Sequence, residues 1–437
     1  MTGTELRVLL HSIAAPPGTE LPRRLDRTAA SYGNLRPLVG PFSRPIVRLS
    51  GPDALLEKAA QSLPAGAARP EAVAVRLRRA GVELAYGSPD VLPDTRAFLR
   101  LCHERGASSV ELVRTDPSLL TEMQLGAFFH AYWRRRVLLR AVCRPSLARA
   151  FLRVPAGAGL AADVAFWAGV QSATSAREWE RFTRSSYVVF YYHRIGVDGW
   201  TGQEHLDLHS RRFKRQLRLL GLLRFRPLPP DELFSFHADP DATLRRRSYV
   251  LSADDALRDA VAEFRRNAHL HPYVFVNTSA VGESPWWAFG QDVADWDELR
   301  EFEAAGGVLA SHCRDHPRLP TLDSAALREA LAGSLDDLRI RLRHPQPLLA
   351  YPHGHHDERV RAAVAATGYR AAFTTEPGLN GAGTDVYCLR RVAIKDWDGW
   401  AALLWKAVTG ELLPRRWEQL RLRVHTAKRL WQSRRWG

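Results

Sequence analysis

An α/β fold is predicted by three stretches that share one design, a short apolar run that ends in polar, chemically capable residues and gives way to helical periodicity. Residues 248–259 carry Tyr-Val-Leu into the adjacent carboxylates Asp254 and Asp255. Residues 306–316 carry Val-Leu-Ala into His312 and His316, and residues 348–357 carry Leu-Leu-Ala into Tyr351, Pro352 and His353. Functional groups of α/β proteins collect at the C-terminal ends of strands, so the three run-ends are expected at one rim.

Taken in order, residues 1–116 read as a mixed α/β region, with an apolar run at 7–11, a Pro/Gly-rich linker at 64–70 and a helix-to-strand pattern at 72–86. Residues 117–185 read as helical and basic, with Phe128, Phe129 and Trp133 beside Arg134, Arg135 and Arg136. A run at 187–195 opens the α/β region proper, expected over 186–400, and a helix at 213–221 is kept from continuing by Pro227, Pro229 and Pro230. A buried strand at 272–276 follows, then a loop at 282–289 holding Trp286 and Trp287, and helices at 297–305, 324–343 and 357–367 alternate with the remaining runs. In the last segment, 401–437, Trp417, Leu420, Val424, Ala427 and Trp431 recur at steps of three and four among arginines, the pattern of a basic amphipathic helix.

Two adjacent carboxylates repel one another unless a cation lies between them, and a divalent metal ligated by one leaves the other free as a base. The competing reading of Asp254 and Asp255 is a helix start, where Asp caps and meets the macrodipole. His312 and His316, four apart, would face the same way on one helical turn. One Asp with two His makes a ligand set with open positions for water and substrate.

These motifs in this order, strand-Asp-Asp, strand-Ser-His-x-x-x-His, Tyr-Pro-x-Gly at 351–354 and Gly-Tyr-x-x-Ala-Phe-Thr-Thr at 368–375, resemble the polysaccharide deacetylase family with NodB homology, over residues 186–400. The resemblance implies a distorted (β/α) barrel holding a divalent metal, commonly zinc, that removes acetyl from an N-acetylated sugar. By position it makes Asp254 the catalytic base, Asp255, His312 and His316 the metal ligands, and the amide of His353 the oxyanion donor. Tyr351, Pro352, Trp286 and Trp287 are placed with the substrate, the tryptophans because indoles stack on sugar faces. Three positions depart from the family's pattern: Ala256 stands for a Gly, Ala350 for an Arg that pairs with the base, and no His follows Leu389 as general acid. His193, His355 and His356 are the candidates for that acid. Residues 30–115 vaguely resemble the acceptor half of a family 2 glycosyltransferase, without its Asp-x-Asp motif.

Composition bounds the rest. The chain has 437 residues, 46% hydrophobic and 25% charged, an ordinary soluble balance with length for two or three domains. It contains no apolar window of about eighteen residues and no basic-then-apolar leader, and Cys102, Cys143, Cys313 and Cys388 show no paired spacing. A cytoplasmic protein with free thiols is expected. The net charge of +15 is carried mostly by Arg spread through helical stretches, with no nucleic-acid motif; an anionic membrane surface at the inner face or an anionic glycan is the more natural partner.

The reading that joins these points is a membrane-peripheral, metal-dependent deacetylase acting on an N-acetylated glycan, free or lipid-linked. Its rivals are a non-catalytic glycan-binding or scaffold protein that keeps the fold, and a metal-dependent hydrolase of another amide or ester.

Overall fold

The apolar runs become strands in a computed structural model, which describes residues 48–50, 83–85, 95–141, 143, 158–196, 207–245, 247–285, 288, 291–414 and 417. The chain divides into two compact units, Met1–Thr183 and Arg184–Gly437.

In the first unit β1 (Arg48–Ser50) and β2 (Glu83–Ala85) pair antiparallel, and the helices that follow among the described residues include α1 (Thr95–Thr115), α2 (Trp133–Ala141), α3 (Ala158–Ala173) and α4 (Ala176–Thr183). Helices α1 and α3 meet backbone to backbone: a Cβ on Gly106 would lie 2.0 Å from the Phe166 carbonyl oxygen, and one on Gly169 1.9 Å from that of His103. Phe128 and Phe129 are buried, Phe128 edge-on to Trp167 with ring centroids 4.8 Å apart. These aromatics therefore belong to the unit's own core. The run at 7–11, the linker at 64–70, most of the glycosyltransferase-like stretch and all of the basic tail beyond Pro414 except Trp417 lie outside the described residues.

The second unit is built on a curled, mainly parallel sheet. Its elements are β3 (Ser186–Tyr192), β4 (Arg194–Ile195), β5 (Asp207–Leu208), α5 (Ser210–Leu222), β6 (Arg226–Pro227), α6 (Pro230–Ala238), β7 (Ser248–Ala253), α7 (Arg258–Arg265), β8 (Tyr273–Val276), α8 (Trp296–Ala304) and β9 (Val308–Ser311). There follow α9 (Ser324–Arg328), a π-helical turn (Glu329–Gly333), α10 (Ser334–Arg341), β10 (Leu348–Ala350), α11 (Glu358–Thr367), β11 (Ala371–Phe373), β12 (Asn380–Gly381), β13 (Val392–Ala393) and α12 (Trp400–Thr409). The strand order is β11-β10-β9-β8-β7-β3-β12, with β13 also on β3 and β6 also on β7.

Every residue of β7, β8, β9, β10 and β11 is buried, the signature of parallel strands covered on both faces. Sheet curvature shows in the pairing: β7 gives its first two residues to β6 and its last two to β8, while β3 gives one end to β12 and the other to β13. The segment after β11 then bridges the two edges. Leu389 pairs with Phe373 of β11, and three residues later Val392 pairs with Phe190 of β3. Residues 389–392 form this short closing span.

Helix starts follow local chemistry. Asp295 and Glu298 form a reciprocal capping box on α8, and Asp357 caps α11 by accepting from the Val360 amide. Beneath the third run-end a core of Leu327, Leu331, Leu335, Leu349, Val360 and Val364 includes Cys313 and Tyr351.

Candidate active site

The parallel sheet brings the ends of β7, β9 and β10 to one rim, and the two acidic residues arrive there first. Asp254 and Asp255 leave β7 before α7 begins, and the residue that precedes α7, Leu257, makes no side-chain cap. The helix-start reading of these carboxylates is thereby corrected. Asp255 (φ 70°) and Ala256 (φ 49°) both adopt left-handed backbone, and the Ala256 carbonyl is pinned by the Ala294 amide.

His312 and His316 lie in a loop after β9 and not on a helical turn. Cys313 (φ 64°) and His316 (φ 54°) are left-handed there, and this curl brings the imidazole centroids to 4.9 Å. Asp255 Oδ1 stands 3.6 Å from His312 Nε2 and 3.8 Å from His316 Nε2. Ligand atoms of the three residues all lie within 4.8 Å of one another. The chemistry of the set fits a divalent cation: one carboxylate oxygen and two imidazole nitrogens, the borderline donors that zinc prefers. His312 Nδ1 bonds the Ala350 carbonyl at 2.7 Å, which fixes the tautomer and leaves Nε2 to ligate. Asn277 Nδ2 donates to Asp255 Oδ1 at 2.9 Å.

Electrostatics separate the two carboxylates. Burial pushes Asp255 up to about 6, with the neighbouring Asp254 charge adding and His193 and the Asn277 bond opposing. Burial acts on Asp254 as well, but the Arg391 guanidinium holds its carboxyl well below the usual range. Arg391 is fully buried and grips Asp254 bidentately, Nη1 to Oδ1 at 2.6 Å and Nη2 to Oδ2 at 2.9 Å. Its Nε donates to the Thr374 carbonyl, and its guanidinium lies 4.7 Å from the Tyr191 ring centroid. Burial lowers His312 to about 3 and lowers His316, so both imidazoles are neutral, the form that ligates.

Arg391 fills the charge position left open by Ala350. Sequence reasoning passed over it because it sits on the closing span, 137 residues from its partner; the available signal was a second Arg in the Leu-Arg-Arg-Val run.

The third run-end divides. His353 (φ 57°) sits at the tip of a turn closed by the Gly354 and His355 amides, which donate to Tyr351 and Pro352. Its ring centroid is 4.3 Å from that of His316. Tyr351, expected at the substrate, is instead fully buried and donates its hydroxyl to the Tyr387 carbonyl at 3.0 Å; Pro352 is buried with it. Both support the turn, since the apolar core below claims them.

His356 stacks on Tyr351 at 4.9 Å, with Nε2 3.5 Å from Cys388 Sγ, and His355 lies 5.7 Å from His353. His193 follows β3, its ring centroid 5.8 Å from that of Tyr191. Trp286 and Trp287 lie outside the described residues.

A rim of this kind, on a curled parallel sheet, belongs to a hydrolase domain of the carbohydrate N-deacetylase class. Residues 243–372, which carry all three run-ends, match the polysaccharide deacetylase family, and this stretch is a domain of that family. Arg391 and His193 fall beyond the matched residues. Similar solved structures include the Streptococcus pyogenes deacetylase PplD (19% identity, 49% of this chain and 94% of that one, TM-score 0.44). A polysaccharide deacetylase from Bacillus cereus (21%, 52% and 70%, 0.44) and IcaB from Ammonifex degensii (21%, 52% and 97%, 0.43) are also similar. No curated protein matches the chain in sequence, and the glycosyltransferase likeness finds no support in these comparisons.

Proposed function

We propose that the chain is a metal-dependent deacetylase that hydrolyses the N-acetyl group of an amino sugar in a polysaccharide or lipid-linked glycan precursor. The observation that carries this reading is geometric, Asp254 gripped bidentately by Arg391 beside the cluster of Asp255, His312 and His316 at one rim.

Asp255, His312 and His316 would hold the cation. When bound, a zinc ion supplies Lewis acidity toward the amide carbonyl and lowers the pKa of water. Asp254 accepts the proton of the attacking water, and Arg391 keeps that carboxylate aligned and unprotonated beforehand. The His353 amide, presented at the tip of its turn, donates to the oxygen that gains charge. A proton must also reach the departing amine, for which His193, His355 and His356 are the candidates, so that amide and water become acetate and free amine.

The scaffold reading drew on Ala256, on Ala350 and on the missing late His. Arg391 supplies the pairing charge that Ala350 lacks, which supports the catalytic reading.

Purified wild type is expected to carry about one zinc per chain and to release acetate from N-acetylated sugars. Asp255→Ala with His312→Ala loses both. Asp254→Asn keeps the zinc and loses acetate release by about 10²–10⁴-fold, the usual worth of a general base. Zinc absent from the wild type after reconstitution would sink the reading.

A further inference from the structure

We infer that Arg314 and Asp337 form a clamp that positions the His312–His316 loop for metal binding, and that the π-helical turn with Gly333 exists to let the clamp close. The inference rests on the metal-binding reading of Asp255, His312 and His316 proposed above.

Arg314 lies between the two histidines and turns outward. Its Nε and Nη2 grip Asp337 Oδ2 and Oδ1, each at 2.9 Å, and its Nη1 reaches Glu329. The bidentate geometry fixes the guanidinium plane in a way that a single bond does not. Asp337 sits on α10 and also accepts from Thr278 Oγ1 at 2.7 Å. Thr278 is the neighbour of Asn277, which bonds Asp255. The backbone repeats the link, since the Thr278 amide donates to the Cys313 carbonyl and Ser279, through its amide and its hydroxyl, to the Arg314 carbonyl. One carboxylate on a helix therefore ties the histidine loop to the segment that orients the third ligand.

The loop needs such a tie. Cys313 and His316 are left-handed, a conformation that non-glycine residues hold only when their surroundings enforce it. The helix contributes its own irregularity: the π turn (Glu329–Gly333) sits beside the clamp and ends at Gly333, where a Cβ would lie 2.8 Å from Arg314 Nε and 2.9 Å from its Cζ. Gly333 itself has ordinary helical dihedrals (φ −58°, ψ −43°). Glycine there admits the close approach of the guanidinium, which a Cβ would push aside, and is not required for backbone freedom; helix propensity alone would favour alanine.

The test measures zinc affinity of the full chain, stripped by chelator, by competition with a chromophoric chelator, alongside thermal melting. Asp337→Ala and Gly333→Ala are both expected to weaken zinc by about 10–100-fold, the usual effect of losing a partner behind the ligands. Asp337→Glu, which keeps the bidentate acceptor, recovers part of that loss, and the exposed control Asp336→Asn leaves zinc unchanged. Gly333→Ala separates positioning from folding, because it improves the helix while displacing the guanidinium; a purely structural role would leave its zinc affinity intact. Wild-type affinity in both Asp337→Ala and Gly333→Ala, with zinc lost in Asp255→Ala, overturns the clamp and spares the metal site. Wild-type affinity in Asp255→Ala overturns the metal site and the clamp with it.

Discussion

Ala256 is where a single residue most directly tests the departure from a glycine-containing turn. Holding alanine in the left-handed region costs roughly 1–2 kcal/mol. Replacing it by glycine would relieve that strain, but it would also remove a fully buried methyl worth about 0.8 kcal/mol and add about 0.5–1 kcal/mol of chain entropy. The opposing contributions nearly cancel. Ala256→Gly is therefore expected to shift stability by less than about 1 kcal/mol in urea denaturation and to leave acetate release within about twofold of wild type, since less than 0.5 kcal/mol separates such rates. A large rise in activity would show that the alanine had been holding Asp254 and Asp255 out of position.

At the scale of elements, Glu178 links α1 to α4 and carries a pH dependence with a definite sign. It accepts from the Ser175 amide and hydroxyl, the two residues forming a capping pair at the start of α4, and it receives Arg114 Nε and Nη2 from the last turn of α1. The Arg114 bond, reinforced by Ser175, lowers the Glu178 carboxyl to about 2 from its ordinary 4.5. A depressed carboxylate contributes stability that is complete above 4.5 and lost as pH falls toward 2. Because Arg114 is half exposed, solvent screening limits the pair to about 0.2–1 kcal/mol. Glu178→Gln, which can still cap, should lower stability by that amount at pH 7, and the gap from wild type should close as pH drops through the window from 4.5 to 2. A gap that stays constant with pH would mean that the charge pair contributes nothing.

Elements also show what could be read from the sequence. The runs ending in Asp254, His312 and Tyr351 were legible because a fully buried parallel strand is apolar on both faces, and its polar residues begin where it ends. The histidine pair was legible as a pair but not as a shape: spacing of four suggested a helical turn, whereas the left-handed Cys313 and His316 make it a loop. Tyr351 was misplaced because a tyrosine next to a strand end looks the same whether its hydroxyl meets a sugar or, as here, the Tyr387 carbonyl. Arg391 was missed because nothing local marks a residue whose partner is brought to it by sheet closure.

For the second unit as a whole, that closure joins folding to chemistry. The span from Leu389 to Val392 bridges β11 and β3, and Arg391, between those contacts, points its charge at Asp254. The ion pair is fully desolvated, and such pairs stabilise little relative to well-packed apolar residues, whereas losing one partner leaves a buried charge that costs about 3–5 kcal/mol. Arg391→Met should accordingly lower the melting temperature sharply and abolish acetate release, since Asp254 would then shed its charge by taking up a proton. Asp254→Asn added to Arg391→Met removes the orphaned charge, so the double variant should recover most of the lost stability while remaining inactive. That divergence between melting and acetate release distinguishes a pair retained for its base from one retained to close the barrel. If the double variant stays as unstable as Arg391→Met, it is the span's own hydrogen bond from Arg391 Nε to Thr374 that holds the sheet edges together, and the charge on Asp254 is incidental to the fold.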